Sequence, residues 1–273
     1  MIDLNFKYLP LDYKENELFI EGYSCEKLAE IYGTPLYCYS MSSVENSFYR
    51  LKKSFIKLKP LICYAVKANF NSQLIKRLSK MGAGTDVVSI GELKQSLKNS
   101  VKPKKIVFSG VGKTSQEIRF AIKNKIKLIN IESEEELHEI NQIAHKENSR
   151  VDVLIRVNPN IDAGTHEKIS TGRTEDKFGV SIKGVIAIFK KFRNERLINI
   201  KGLSVHIGSQ IESLVPFRKA FEEVRKLVNI LRGLHFDIKT VDLGGGIGIN
   251  YGKNKTVDVE KYAKLVEKIF FNF

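Results

Sequence analysis

The chain has 273 residues, 42% of them hydrophobic and 28% charged, a balance that excludes disordered, collagen-like and membrane-spanning classes. Basic residues outnumber acidic ones by 45 to 31, giving a formal charge of +14. The lysines are scattered, and the tightest cluster (Lys102, Lys104, Lys105) has no interleaved aromatics to stack bases, so no nucleic-acid or membrane partner is expected.

Residues 1–32 hold extended-looking stretches such as LFIEGYS; Gly33-Thr34-Pro35 then punctuates the chain ahead of PLYCYS, which reads as β-rich. Residues 1–35 are read as an N-terminal β segment and 36–273 as one α/β unit. Three cysteines, Cys25, Cys38 and Cys63, form no CxxC pair, which argues against a disulfide framework or a zinc site, and no other metal-ligand spacing is present. With no signal-like apolar run at the start, a cytoplasmic protein is expected.

From residue 62 onwards, short β-branched runs alternate with segments of helical spacing. The strands are expected at 62–68, 85–89, 106–110, 128–132, 153–159, 203–208 and 240–244, with helices at 71–80, 91–98, 115–124, 134–146 and 216–234. Such alternation implies parallel strands joined by helical crossovers, in a closed barrel or a doubly wound sheet. A barrel is preferred, because no GxGxxG opens the first unit and the count runs towards eight. It stops at seven. One more amphipathic helix follows, carrying Tyr262, Leu265, Val266, Ile269 and Phe270, and then an apolar IFFNF; a truncated product is expected.

Several residues in these strands invite chemistry. Lys67 ends the apolar run ICYAVKAN, where a buried ammonium is costly and a free amine would attack an aldehyde; a lysine that snorkels out of the strand end is the alternative. Asp86, in the second strand, could pair with Lys67 or a substrate amine, and Arg156 interrupts the fifth strand and needs an anionic or polar partner; both could be internal salt bridges only. His206, read as lying in the sixth strand, is either a satisfied core histidine or a ring that lies flat on an aromatic cofactor, with Ser209 past the strand end able to donate to a phosphate. Gly244, Gly245 and Gly246 after the seventh strand can turn backbone N–H groups onto an anion or simply make a tight turn. The polar segment 165–179, THEKISTGRTEDKFG, reads as a substrate lid or a solvated connection.

Taken together, YAVKAN around Lys67, GTDVVSIGEL from Gly84, HIGSQI around His206 and LGGGIG around Gly245 closely resemble the pyridoxal-phosphate decarboxylases of the alanine-racemase-like barrel fold. The 165–179 segment is most similar to the diaminopimelate decarboxylases among them, rather than to the ornithine or arginine enzymes. The resemblance covers nearly the whole chain. It implies pyridoxal 5'-phosphate as cofactor, with Lys67 and His206 as catalytic residues, the first joined to the cofactor by a Schiff base and the second stacked on its ring. It also places Ser209, Gly244, Gly245 and Gly246 on the phosphate, Asp86 and Arg156 in the rest of the cofactor shell, and His166 on the substrate. The implied reaction converts meso-2,6-diaminopimelate, a small-molecule amino acid, to L-lysine and CO2 in a homodimer. Family members continue with an EPGR segment and a β-sandwich-like domain that pairs with the N-terminal stretch. Neither is in this sequence, so an incomplete TIM-like (β/α) barrel of seven of eight βα units, with little activity alone, is expected. A non-catalytic cofactor-binding homologue, a decarboxylase of another basic amino acid and a Schiff-base aldolase on a phosphate-binding barrel are the alternatives.

Overall fold

The computed structural model describes residues 10–162, 178–249, 256–271 and 273, and the chain divides into two units, Met1–Lys53 and Ser54–Phe273. In the first, β1 (Leu11–Lys14) and β2 (Glu17–Ile20) pair antiparallel with Leu11 opposite Ile20. Glu15 and Asn16 between them both have positive φ, 49° and 69°, which is the turn whose twist matches a hairpin. β3 (Tyr23–Ser24) adds to β2, and the Ser24 side chain then accepts from Lys27 N at 3.1 Å to open α1 (Cys25–Tyr32). The PLYCYS segment, read as β-rich, forms no strand. Its serine ends the extended stretch by capping α2 (Met41–Ser54), Ser40 Oγ accepting from Ser43 N at 3.0 Å, so the capping chemistry of Ser-Met-Ser-Ser overrides the β propensity before it.

The second unit alternates strand and helix: β4 (Cys63–Ala65), α3 (Ser72–Lys80), β5 (Gly84–Val87), α4 (Ile90–Lys98), β6 (Ile106–Phe108), α5 (Ser115–Lys123), β7 (Leu128–Ile131), α6 (Glu134–Lys146), β8 (Val151–Asn158), β9 (Val180–Ser181), α7 (Ile182–Lys191), β10 (Ile198–Ser204), α8 (Leu214–Gly233), β11 (Thr240–Asp242) and α9 (Val259–Phe270). All seven expected strands are present. They stand side by side in chain order, β4-β5-β6-β7-β8-β10-β11, every pair parallel, with β9 added only to the end of β8. Order without reversal is the winding of a barrel, not of a doubly wound sheet.

Helix starts follow from the sequence. Asn71, Ser89, Thr114, Ser133, Ser181, Ser213 and Asp258 each accept a backbone N–H of the first turn, and Thr114 with Glu117 forms a complete capping box. The helices bury apolar stripes such as Leu137, Ile140, Ile143 and Ala144 on α6. The strand positions Val87, Ile106, Phe108, Ile129, Ile131, Val153, Ile155 and Leu203 are buried too, each large side chain contributing about 1.5–3 kcal/mol. Between α8 and α9, Phe217, Phe221, Tyr262 and Phe270 meet edge-on or tilted at 5.1–6.2 Å, which gives Phe270 of the apolar terminus a place in the core.

The opposite face of the sheet is layered. Register places Cys63, Val107, Leu128 and Leu154 on that face, where the last three form a buried cluster with Cys63 against it. Two residues further along the strands the same positions turn polar: Ser109, Asn130, Arg156, Ser204 and Asp242. Asn130 Nδ2 donates to Asp242 Oδ2 at 3.0 Å, although β8 and β10 separate β7 from β11. In a flat sheet those strands would lie about 14 Å apart, so the sheet curls round an interior that these side chains fill.

Candidate active site

The inward polar layer lies at the carboxyl ends of the strands, where parallel α/β folds build their sites. Lys67 lies there but not as the sequence suggests. β4 stops at Ala65, and a 3-10 turn over Val66–Ala68 buries Val66 and leaves Lys67 exposed. Burial of the ammonium therefore does not occur; the turn, held by Asn69 N donating to Val66 O at 3.1 Å, carries the amine to the mouth of the interior instead.

Asp86 is half-buried on β5, with Ser109 Oγ donating to its Oδ1 at 2.5 Å. Burial pushes its carboxyl up to about 7; the Ser109 hydrogen bond and the positive charge of Lys67 oppose that shift, while Asp242 and Glu92 add to it. Arg156 has the partner that its place in an apolar strand demands: Nη1 meets Glu132 Oε1 at 2.7 Å, both side chains nearly buried at 11% and 5% exposure. Its Nη2 donates to His206 O at 3.3 Å, and its guanidinium lies 4.8 Å over the Phe178 ring.

His206 is not in the sixth strand. β10 ends at Ser204, the last position paired with β8 and β11; Val205 N still donates to Asp242 O at 2.9 Å, and His206 follows in the loop, half-buried. Burial holds its imidazole down at about 4, with the charges of Arg156 and Lys67 acting in the same direction, so the ring is neutral near pH 7. Gly245 N donates to Nδ1 at 3.3 Å, which leaves the ring proton on Nε2.

The glycine loop abuts this ring. Gly244 and Gly246 have φ of 66° and 100°; a Cβ on the first would lie 2.4 Å from Val205 O and 3.0 Å from His206 Nδ1, and one on the second 2.1 Å from Gly208 O. Only glycine fits either place. Gly245 faces open space, and Ser209 is exposed beside Gly208. Thus Lys67, Asp86, Arg156, His206, Ser209 and the three glycines all stand at the strand ends. His166 lies outside the described residues, as does all of the 165–179 segment except its last two positions.

Four further residues escape a search for lone polar side chains. Ser109 and Asn130 join Asp86 to Asp242, Asn130 Nδ2 donating to Ser109 Oγ and to Asp242 Oδ2, each at 3.0 Å. Glu132 accepts from Arg156 through one oxygen and from Gly179 N, at 3.1 Å, through the other. The signal is period two: Asn130 and Glu132 alternate with Ile129 and Ile131, and Asp242 stands two before Gly244.

Residues 41–272 match the family described as pyridoxal-dependent decarboxylase, pyridoxal binding domain. The chain belongs to this family. It is 44% identical over 251 residues to a diaminopimelate decarboxylase of Aquifex aeolicus, a match that covers 92% of this chain and 59% of that protein. For the Helicobacter pylori enzyme of the same name the figures are 41% over 242 residues, 89% and 60%. Among solved structures, H. pylori diaminopimelate decarboxylase complexed with L-lysine superposes with a TM-score of 0.89 at 39% identity, covering 91% of this chain and 63% of that one. The M. jannaschii diaminopimelate decarboxylase in co-complex with L-lysine gives 0.90 at 34%, covering 96% and 62%. The chain thus spans about 60% of the length of the curated relatives it matches. Its curled parallel sheet of seven strands in order matches the barrel of these structures over about 60% of their length, as expected of an incomplete barrel.

The mouth fits pyridoxal phosphate. An exposed primary amine, an uncharged ring and a loop bare of side chains are what an aldehyde, an aromatic plane and a phosphate require; Gly244 and Gly246 pack against backbone oxygens that leave no room for a Cβ, and Gly245 between them faces open space.

Proposed function

We propose that this chain is the cofactor-binding part of a decarboxylase that converts meso-2,6-diaminopimelate to L-lysine and CO2. The observation that carries the reading is the meeting of Lys67, neutral His206 and the glycine loop at one mouth; the relatives' names supply the substrate. Lys67 would hold the cofactor, His206 would lie on its ring, Ser209 and Gly244, Gly245 and Gly246 would take its phosphate, and Asp86 and Arg156 would complete the shell. Pyridoxal phosphate, when bound, supplies an aldehyde that condenses with amines and a ring that accepts the electron pair left by CO2.

The chain's own groups suit that chemistry. A neutral His206 offers a flat surface without a second positive charge, and its Nδ1 is held by Gly245 N–H, which keeps the ring in one orientation. Asp86, shifted to about 7, can hold or release a proton at Oδ2, because Oδ1 is engaged by Ser109. Arg156, neutralised by Glu132, props the His206 carbonyl rather than acting as a free cation.

This reading makes the protein a cytoplasmic homodimer of lysine synthesis, and among the described residues no helix is long and apolar enough to cross a membrane. The test is release of CO2 from meso-diaminopimelate, ornithine and arginine by the protein expressed as its gene encodes it. Turnover on diaminopimelate with stoichiometric lysine is expected. Preference for ornithine or arginine would move the substrate, and no release from any of the three would overturn the function.

A further inference from the structure

We propose that Asn130 is a positioning residue that fixes the glycine loop and the Lys67 side of the mouth relative to one another. The inference rests on the reading of the mouth as a pyridoxal phosphate site. Asn130 points into the interior from β7, the middle strand, and is 4% exposed. Its orientation is fixed by chemistry: the Asp242 carboxylate only accepts, so the amide must turn its NH2 group that way.

That one nitrogen reaches both halves of the mouth. On one side Asp242 takes Asn130 Nδ2 at Oδ2 and Gly244 N at Oδ1, at 3.0 and 2.9 Å, so the first residue of the glycine loop hangs from a carboxylate that Asn130 steadies. On the other side Ser109 Oγ accepts from Asn130 at 3.0 Å and gives its own proton to Asp86, the carboxyl beside the Lys67 charge. The backbone beneath is clamped as well. The buried ammonium of Lys113 donates to Asn130 O at 2.8 Å, to Gly110 O at 2.6 Å and to Glu136 Oε1 at 2.6 Å, and Glu136 Oε2 accepts from Glu132 N at 2.7 Å. Asn130 thus cannot shift without pulling on the loops that carry Ser109 and Glu132.

The residue also breaks a local rule. Its Oδ1 is buried without a hydrogen-bond partner among the described residues, a cost set against the two bonds that its Nδ2 makes to Ser109 and Asp242. Such conflicts between local preference and structure gather at functional sites. The two donors of the amide are what an apolar side chain could not provide.

Asn130→Asp keeps the shape and replaces the donating nitrogen with an acceptor facing Asp242 and Ser109 Oγ. Asn130→Asp with Asp242→Asn reverses the bond: the new amide at 242 can still accept from Gly244 N and donate to the new carboxylate. Titration of the purified proteins with pyridoxal phosphate, followed by visible absorbance, gives the affinity, and thermal unfolding gives stability separately. Asn130→Asp is expected to bind the cofactor roughly tenfold to a hundredfold more weakly, and the exchanged pair to recover most of that loss. A loss of affinity beyond what the change in thermal stability accounts for, recovered by the exchange, is a result that a merely structural asparagine would not produce. Asn130→Ala, which adds no charge, serves if the aspartate variant does not fold; it should bind about tenfold more weakly and gain nothing from Asp242→Asn. Binding within about twofold of the parent by whichever single variant folds, or an exchanged pair as weak as Asn130→Asp, would overturn the proposal. A parent protein that binds no pyridoxal phosphate at all would instead overturn the cofactor reading, and this one with it.

Discussion

His206 and Asp86 share one mouth yet are displaced in opposite directions, the imidazole down to about 4 and the carboxyl up to about 7, because burial penalises whichever form is charged. Their effects on stability have opposite signs. For His206, stability is fully present above the ordinary value of 6.5 and is lost as pH falls through about 4. For Asp86 it is fully present below the ordinary value of 3.8 and is lost as pH rises through about 7. Asp86→Asn, which removes the titration and can still accept from Ser109, should therefore gain on the parent as pH rises from 4 to 8. With the group half-buried, a gain on the order of 1–2 kcal/mol is expected in urea unfolding of the cofactor-free protein. A difference between the two proteins that does not change with pH would show that the Asp86 proton is unperturbed by folding. At this scale Lys67, Arg156 and His206 are legible because each interrupts an apolar run. Asn130 and Asp242 are not, since their roles arise from a hydrogen bond across 112 residues of sequence.

Strand and helix positions are legible to within a few residues, and the misses have a common origin. ICYAVKAN and LSVHIG each look like one strand, but a ladder ends where its neighbours end, which no single segment records; so Lys67 and His206 fall in turns beyond β4 and β10. α1 and α7 are not anticipated, though Ser24 and Ser181 cap them, and α2 is hidden behind a β-rich lead-in. The glycine loop is the element whose form follows most directly from its residues. Gly246→Ala should destabilise the protein by about 2 kcal/mol or more in thermal unfolding, since the new Cβ would lie 2.1 Å from Gly208 O at a φ of 100°. Gly245→Ala, which meets nothing within 4 Å, should change stability by no more than about 0.5 kcal/mol. Equal losses at the two positions would mean that the cradle is not tight where the geometry makes it so.

In the larger unit as a whole, an apolar floor of Val107, Leu128 and Leu154 gives way along the same inward positions to a polar layer, and that layer to a mouth at the strand ends. Parallel winding is readable from the alternation of strands and helices, and a barrel is preferred from the strand count; which side chains meet across the interior is not readable, because that depends on how the curled sheet is filled. The curl is what brings β4, β5, β10 and β11 round one mouth, and with them the amine, the carboxyl, the imidazole and the glycine loop. The central proposal that rests on this arrangement is that Lys67 is the residue that would hold pyridoxal phosphate. The direct measurement is reduction of the cofactor-loaded protein with borohydride, followed by peptide mapping. The pyridoxyl label is expected on Lys67; a label on any of the other lysines, or none on a folded and loaded protein, would contradict it.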